Sequence, residues 1–190
     1  MLFSPLSIAG AWLVEIQPHH DERGFFARTW CHQEFAAHGI HFNVEQANLS
    51  FNAQAGTLRG MHFSWLPSME AKLVSCSRGR VHDVILDLRP TSATFAMHES
   101  FCLSADAHNA VLIPPGVAHG FQTLAEESDV HYLMTERHRP DLAGGVRFDD
   151  PAFGIRWPRA VSVIAERDRT YPDFDAEAHR RRMSVLDSRA

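Results

Sequence analysis

Val81-His82-Asp83-Val84-Ile85-Leu86-Asp87-Leu88 is the stretch whose reading decides the architecture. His82, Val84, Leu86 and Leu88 fall on one side of a two-residue repeat, and Asp83, Ile85 and Asp87 fall on the other; this is the period of an extended strand. The second side, carrying two aspartates, is expected to face water. Short apolar runs of the same kind extend in both directions. Val44 to Phe51, Leu58 to Phe63 and Lys72 to Ser77 precede it; Phe95 to Leu103, Ala110 to Ile113, Gly120 to Leu124 and Val130 to Thr135 follow. Gly56, Gly79, Pro90, Pro114, Gly116 and Pro140 punctuate them. Gly10 to Gln17 and Gly24 to Trp30 read as two further strands around a polar turn, His19 to Arg23, and His32 to His38 is the one early stretch of helical composition. Short strands at roughly 8–12-residue spacing predict an all-β sandwich or barrel. With no helix–strand alternation, GxGxxG or Walker loop, dinucleotide and NTPase folds are disfavoured.

The 190 residues suit a single domain, with the β core expected over about residues 11–158 and an extension over 159–190. A 45% apolar fraction, 22% charged residues and a formal charge of -5 are those of an ordinary globular protein and give no reason to expect nucleic acid or an anionic membrane as partner. Cys31, Cys76 and Cys102 are odd in number and widely spaced, which fits free thiols in a reducing cytoplasm. Met1 to Leu6 lacks the basic and apolar segments of a leader, and no apolar run approaches the ~20 residues of a membrane helix. The basic run His179-Arg180-Arg181-Arg182 reads as a solvated helix face.

Chemistry concentrates in Gly56-Thr57-Leu58-Arg59-Gly60-Met61-His62-Phe63 and in Lys72, ten residues beyond the histidine. Together these supply an anion binder, a group that titrates near neutrality and a fixed cation. Pro114-Pro115-Gly116-Val117-Ala118-His119-Gly120 resembles the second motif of the cupin jelly rolls, a tight turn that delivers a histidine into the barrel mouth. The first cupin motif, His-x-His followed by a glutamate, is represented only by His62-Phe63-Ser64, with Lys72 near the place of the acidic ligand. A single histidine beside an ammonium leaves too few ligands for a divalent ion, so no metal is expected.

A closer resemblance rests on several segments in order: Asp21-Glu22-Arg23-Gly24-Phe25-Phe26, Leu58 to Phe63, Lys72-Leu73-Val74, Asp83 to Arg89, Pro114 to Phe121, Asp149-Asp150-Pro151 and Trp157-Pro158. Spread over about residues 11–170, they resemble the dTDP-4-dehydrorhamnose 3,5-epimerase family. The resemblance implies a cupin-type jelly roll with a few short helices, mainly near the C-terminus. It also implies a homodimer and a reaction without metal or cofactor on a nucleotide-linked 4-keto-6-deoxyhexose. Hydrogens on the carbons flanking such a ketone are acidic enough to be removed by a general base if the enolate oxygen is stabilised, and a second acid on the other face inverts the centre. By resemblance His62 is the base, Asp168 orients it, Tyr132 is the acid and Lys72 is the cation near the sugar. Arg59 and His119 grip sugar and diphosphate, and Arg23, Gln46 and Asn48 make further contacts. Without the resemblance, Asp168 in Arg167-Asp168-Arg169 has a surface ion pair as its alternative reading, and Tyr132 has strand packing.

Four positions depart from the family. Arg28 stands where a glutamate is usual, His138 where an aromatic is usual, Ala143 where an acid is usual, and Phe148 where a tryptophan is usual. The chemical set is kept while the base-reading set, which includes Arg28 and His138, drifts. That leaves open a 3- or 5-mono-epimerase or ketoisomerase on another sugar nucleotide, or a sugar-binding cupin without turnover. The apolar strand Ala11 to Ile16 would suit pairing with a partner's sheet.

Overall fold

In the computed structural model, which describes residues 1–187, the alternating stretch forms β8 (Arg80–Asp87), inside one of two packed sheets. The order in that sheet is β13 (Ala143–Gly145), β6 (Thr57–Ser64), β11 (Val117–Thr123), β8 and β9 (His98–Ser104), with β14 (Val163–Ile164) adding to β6 in parallel. The facing sheet runs β1 (Leu2–Pro5), β2 (Trp12–Glu15), β10 (Asn109–Ile113), β7 (Lys72–Arg78), β12 (Ser128–Met134) and β5 (Gln46–Asn52). A separate hairpin pairs β3 (His19–Asp21) with β4 (Gly24–Phe26). Among the described residues the helices are α1 (His32–Ala37), α2 (Glu166–Arg169) and α3 (Ala176–Asp187). None is long and apolar enough to cross a membrane.

Neither side of β8 is wet. Val81 and Ile85 meet Val74, Cys76, Val111 and Val130 of the facing sheet, forming the core between the layers. On the other side Val84, Leu86 and Leu88 are covered by Phe63, Val146 and Phe153, with Trp157 and Phe174 from the C-terminal part. Each fully buried aliphatic side chain of this kind contributes about 1.5–3 kcal/mol. Asp83 and Asp87, expected to face water, are fully buried. Alternation shows that two sides of a strand differ, not which one is solvated, and each aspartate has its own partners. Asp83 pairs with His119, while Asp87 accepts hydrogen bonds from Arg89, Ser92 and Thr94. Burial alone would raise the Asp87 pKa, but these donors outweigh it and hold the carboxyl down at about 2.

The outer side of the facing sheet is partly covered by Phe35 of α1 and Phe42, packed on Val14, Leu73 and Leu112. The strand expected to offer an edge to a partner, β2, lies between β1 and β10, so its backbone is paired within the chain. Two elements outside the expected core also join the sheets: β1 on one side and β14 on the other. Residues 19–21, expected as a turn, are half of the β3–β4 hairpin.

The basic run of α3 is solvated at its three arginines, as expected, but not at its histidine. His179 is buried among Phe63, Trp65, Phe95 and Phe174, and its Nε2–H donates to Leu88 O at 2.7 Å. Burial lowers its pKa, against the pull of that hydrogen bond. Arg180 and Arg182 lie over Phe95 and Trp65 at 4.4 and 3.8 Å, using their cations on aromatic faces.

Candidate active site

Arg59 and His62 are three residues apart on β6, a spacing that sends side chains to opposite faces of a regular strand. Both nevertheless line one cavity. The pairing of β6 with β11 shifts register between His119 and Phe121, which re-aims the chain in the middle of the motif. Gly60 makes the shift feasible. Its φ is +115°, and a Cβ there would lie 2.6 Å from Gly120 Cα and 2.7 Å from His119 O. An alanine would drive β6 away from β11.

The same glycine fixes the partner of His62. Strand β14 lies along β6, so the turn that follows places α2 over Gly60. Asp168 Oδ1 accepts a hydrogen bond from His62 Nε2–H at 2.7 Å, and Oδ2 accepts one from Gly60 N–H at 3.1 Å. Burial opposes ionisation of Asp168; the hydrogen bond and charge of His62, the Gly60 amide and Arg167 outweigh it and hold the carboxyl below its ordinary range. With Nε2–H committed to Asp168, Nδ1 of His62 carries the free lone pair. The His62 side chain is 33% exposed and therefore open to a ligand.

The facing sheet supplies the other wall. Tyr132 from β12, Lys72 from β7 and Asn48 from β5 line the same cavity, whose volume is about 520 Å³. Burial, reinforced by the negative charge of Asp83 and only partly offset by Arg59, raises the Tyr132 hydroxyl well above the ordinary tyrosine range, so it carries its proton. Lys72 Nζ sits 3.2 Å from Glu70. Arg59 is steadied by Asn52 Oδ1 at 2.8 Å. His119 is buried and donates from Nε2–H to Asp83 Oδ2 at 2.8 Å, with its ring edge-on to Tyr132; Asp83 Oδ1 has no partner. Among the described residues no three His, Cys, Asp or Glu side chains are grouped to share a metal ion. A base and an acid on facing walls, with cations around them, can take a proton from one face of a carbon acid and return it to the other.

A sequence profile of dTDP-4-dehydrorhamnose 3,5-epimerases matches residues 5–176. The chain belongs to the dTDP-4-dehydrorhamnose 3,5-epimerase family. A member from Sinorhizobium fredii is 36% identical over 175 residues, covering 92% of this chain and 90% of the relative. A dTDP-4-dehydrorhamnose 3-epimerase from Streptomyces niveus is 35% identical over 171 residues, covering 89% and 82%. The crystal structure of the Bacillus anthracis 3,5-epimerase with TDP and PPi bound superposes with a TM-score of 0.88 at 35% identity, covering 91% of this chain and 99% of the other.

Of the residues expected at the site of a family member, His62, Tyr132, Asp168, Lys72, Arg59, His119 and Asn48 line one cavity. Four do not. Gln46 lies just beyond it, donating to Asn48 Oδ1 at 3.1 Å and accepting from His138 N–H, and the His138 side chain is exposed. Arg28 is turned to Glu34 at 2.6 Å, and Arg23, on the exposed hairpin, is paired with Asp21. In this chain Arg23 and Arg28 stand outside their own cavity. The surface ion pair considered for Asp168 is excluded by its burial. Sequence reasoning missed Arg167, whose Nη2 lies 3.3 Å from His62 Nε2, and also Glu70 and Asp83. Arg167 was legible as the neighbour of Asp168; Glu70 and Asp83 carried no separate signal.

Proposed function

We propose that this family member epimerises a dTDP-linked 4-keto-6-deoxyhexose at the carbons flanking the ketone, converting dTDP-4-dehydro-6-deoxyglucose into dTDP-4-dehydrorhamnose. The observation that carries the reading is the His62–Asp168 pair on one sheet and Tyr132 on the facing sheet, both lining one cavity. Nδ1 of His62 takes the α-hydrogen as a proton, and Asp168 stabilises the imidazolium that forms. Lys72 donates to the ketone oxygen as it becomes an enolate. Tyr132 then delivers its proton to the opposite face of the same carbon, inverting it; solvent reprotonates Tyr132 and takes the proton from the His62 imidazolium. Arg59 and Arg167 take the diphosphate, and His119 and Asn48 contact the sugar. Every role falls to a side chain, so no cofactor is required.

Two features support a homodimer. Leu49 and Phe51 on the outer side of β5, and Phe25 and Phe26 on the β3–β4 hairpin, are large exposed apolar side chains that a second copy would cover. That hairpin also carries Arg23, which reaches a substrate only if it enters a partner's cavity. The free cysteines Cys31, Cys76 and Cys102 suit an enzyme of the cytoplasm.

Incubation with dTDP-4-keto-6-deoxyglucose in deuterated water tests the reaction. Deuterium at both C3 and C5 is expected. Absence of label at both carbons sinks the dTDP-sugar assignment. Label at one carbon alone identifies a mono-epimerase, the reading favoured by the Streptomyces niveus relative.

A further inference from the structure

Lys72 does not stand in the cavity as a free cation. Its Nζ lies 3.2 Å from Glu70 Oε1, and both side chains are largely buried, 13% and 6% exposed. Glu70 belongs to the connection between β6 and β7, and that connection is tied down along its length. Ser64 Oγ donates to Glu70 Oε1 at 3.3 Å, and Glu70 N–H donates to Ser68 Oγ at 3.2 Å. Glu136 accepts from Ser68 Oγ at 2.7 Å and from Met69 N–H at 2.9 Å. Ala71 N–H donates to Thr135 Oγ1 at 2.8 Å. The carboxylate is therefore a fixed point, and the ammonium leans on it.

A lysine has a flexible four-carbon stem and three N–H donors. Stabilisation of an enolate needs the donor in place before the charge develops, because moving it during the reaction forfeits the benefit. Glu70 holds the Lys72 ammonium by charge at 3.2 Å, which leaves its N–H donors for the cavity. We propose that Glu70 is a positioning residue that holds the Lys72 ammonium against the ketone oxygen; this rests on the reading of Lys72 as the enolate-stabilising cation. The pairing has a second consequence for specificity. With its charge balanced by Glu70, Lys72 is a poor ligand for a phosphate, so the sugar end of the cavity suits a neutral keto sugar while the diphosphate goes to Arg59 and Arg167.

The test compares Glu70→Ala, Glu70→Gln, Lys72→Met and the Glu70→Ala/Lys72→Met double variant by kcat, KM and calorimetric dTDP affinity. Glu70→Ala is expected to lower kcat on the order of 10- to 100-fold, the scale of a misplaced catalytic group, with dTDP affinity unchanged. Glu70→Gln, which keeps an acceptor oxygen, recovers part of the loss. In the Lys72→Met background Glu70→Ala costs nothing more, because no ammonium remains to be positioned. Wild-type kcat in Glu70→Ala overturns the proposal, as does an equal loss with and without Lys72. If Glu70→Ala does not fold, Glu70→Asp, which retracts the carboxylate by one methylene, takes its place with the same expected loss, and wild-type kcat there overturns it. A wild-type protein inactive on the 4-keto sugar overturns both readings; an active one with indifferent Glu70 variants overturns this one alone.

Discussion

Two histidine–aspartate pairs lie side by side in this protein, and they differ in everything but the bond. His62–Asp168 measures 2.7 Å and His119–Asp83 measures 2.8 Å, and the two histidines face each other across the β6–β11 ladder. The His62 side chain is 33% exposed and its aspartate is satisfied twice, by the imidazole and by the Gly60 amide. The His119 side chain is 5% exposed, and one oxygen of its aspartate has no partner. An imidazole held by a carboxylate becomes a base for a substrate only where its other nitrogen can be reached. On this comparison His62 is the histidine that a substrate can reach, and His119 with Asp83 is sealed against it.

The largest effect is expected at His62. His62→Asn should lower kcat about 1,000-fold, within the range for loss of a general base, and abolish deuterium incorporation from solvent. His119→Asn should act mainly on KM and still exchange the α-hydrogens; if it blocked exchange as fully as His62→Asn, the distinction between the pairs would collapse. Next comes Tyr132→Phe, expected to cost on the order of 100-fold in product formation by loss of the general acid. Because the base remains, recovered substrate should still acquire deuterium without inversion, and NMR of that substrate decides it.

The aspartates should separate in the same way, more gently. Asp168→Asn is expected to reduce kcat about 100-fold by releasing the imidazole and withdrawing its counter-charge. Asp83→Asn keeps an acceptor for His119 Nε2–H and exchanges the unpaired carboxylate oxygen for an unpaired amide, a group that costs about 1–3 kcal/mol in either form. Urea unfolding should therefore find it no less stable than the parent. A large loss of stability would mean that Asp83 is better satisfied than the comparison holds.

The smallest effect concerns Asp87, a third buried carboxylate, on the same strand as Asp83 but with no histidine. Its folded pKa, about 2, lies below the ordinary 3.8, so its contribution is complete above roughly pH 4 and is lost as pH falls towards 2. The contribution at neutral pH is about 2 kcal/mol. Unfolding free energies of the parent and Asp87→Asn should converge as pH drops from 5 to about 2; a gap that stays constant would show that Asp87 acts through packing alone.

Much of the fold was legible because a strand repeats every two residues and a turn needs glycine or proline. The run from Val81 to Leu88 announced β8, and His32 to His38 announced α1, close to their observed bounds. Elements with little side-chain pattern were not legible. β1 contains a proline, β13 is mostly glycine and β14 has two residues, and they are defined by the backbones they lie against. The burial of Asp83 and His179 was hidden because their partners lie far along the chain; Asp83 meets His119, 36 positions away. His179 bonds to Leu88, 91 positions away. Arg23 carried the family pattern and Arg28 departed from it, and this chain places both outside its own cavity.

By itself the sequence determined the strand periodicity, the turns marked by glycine and proline, and the residue types able to serve as acid, base and cation, since these follow from local sterics and side-chain chemistry. The tertiary structure alone decided which side of β8 was dry, that Arg59 and His62 share a face across an odd spacing, and that Asp168 meets His62 from 106 residues away. It also decided that one histidine–aspartate pair is open and the other sealed. Access, burial and partnership depend on which distant segments pack together, and no local pattern encodes them.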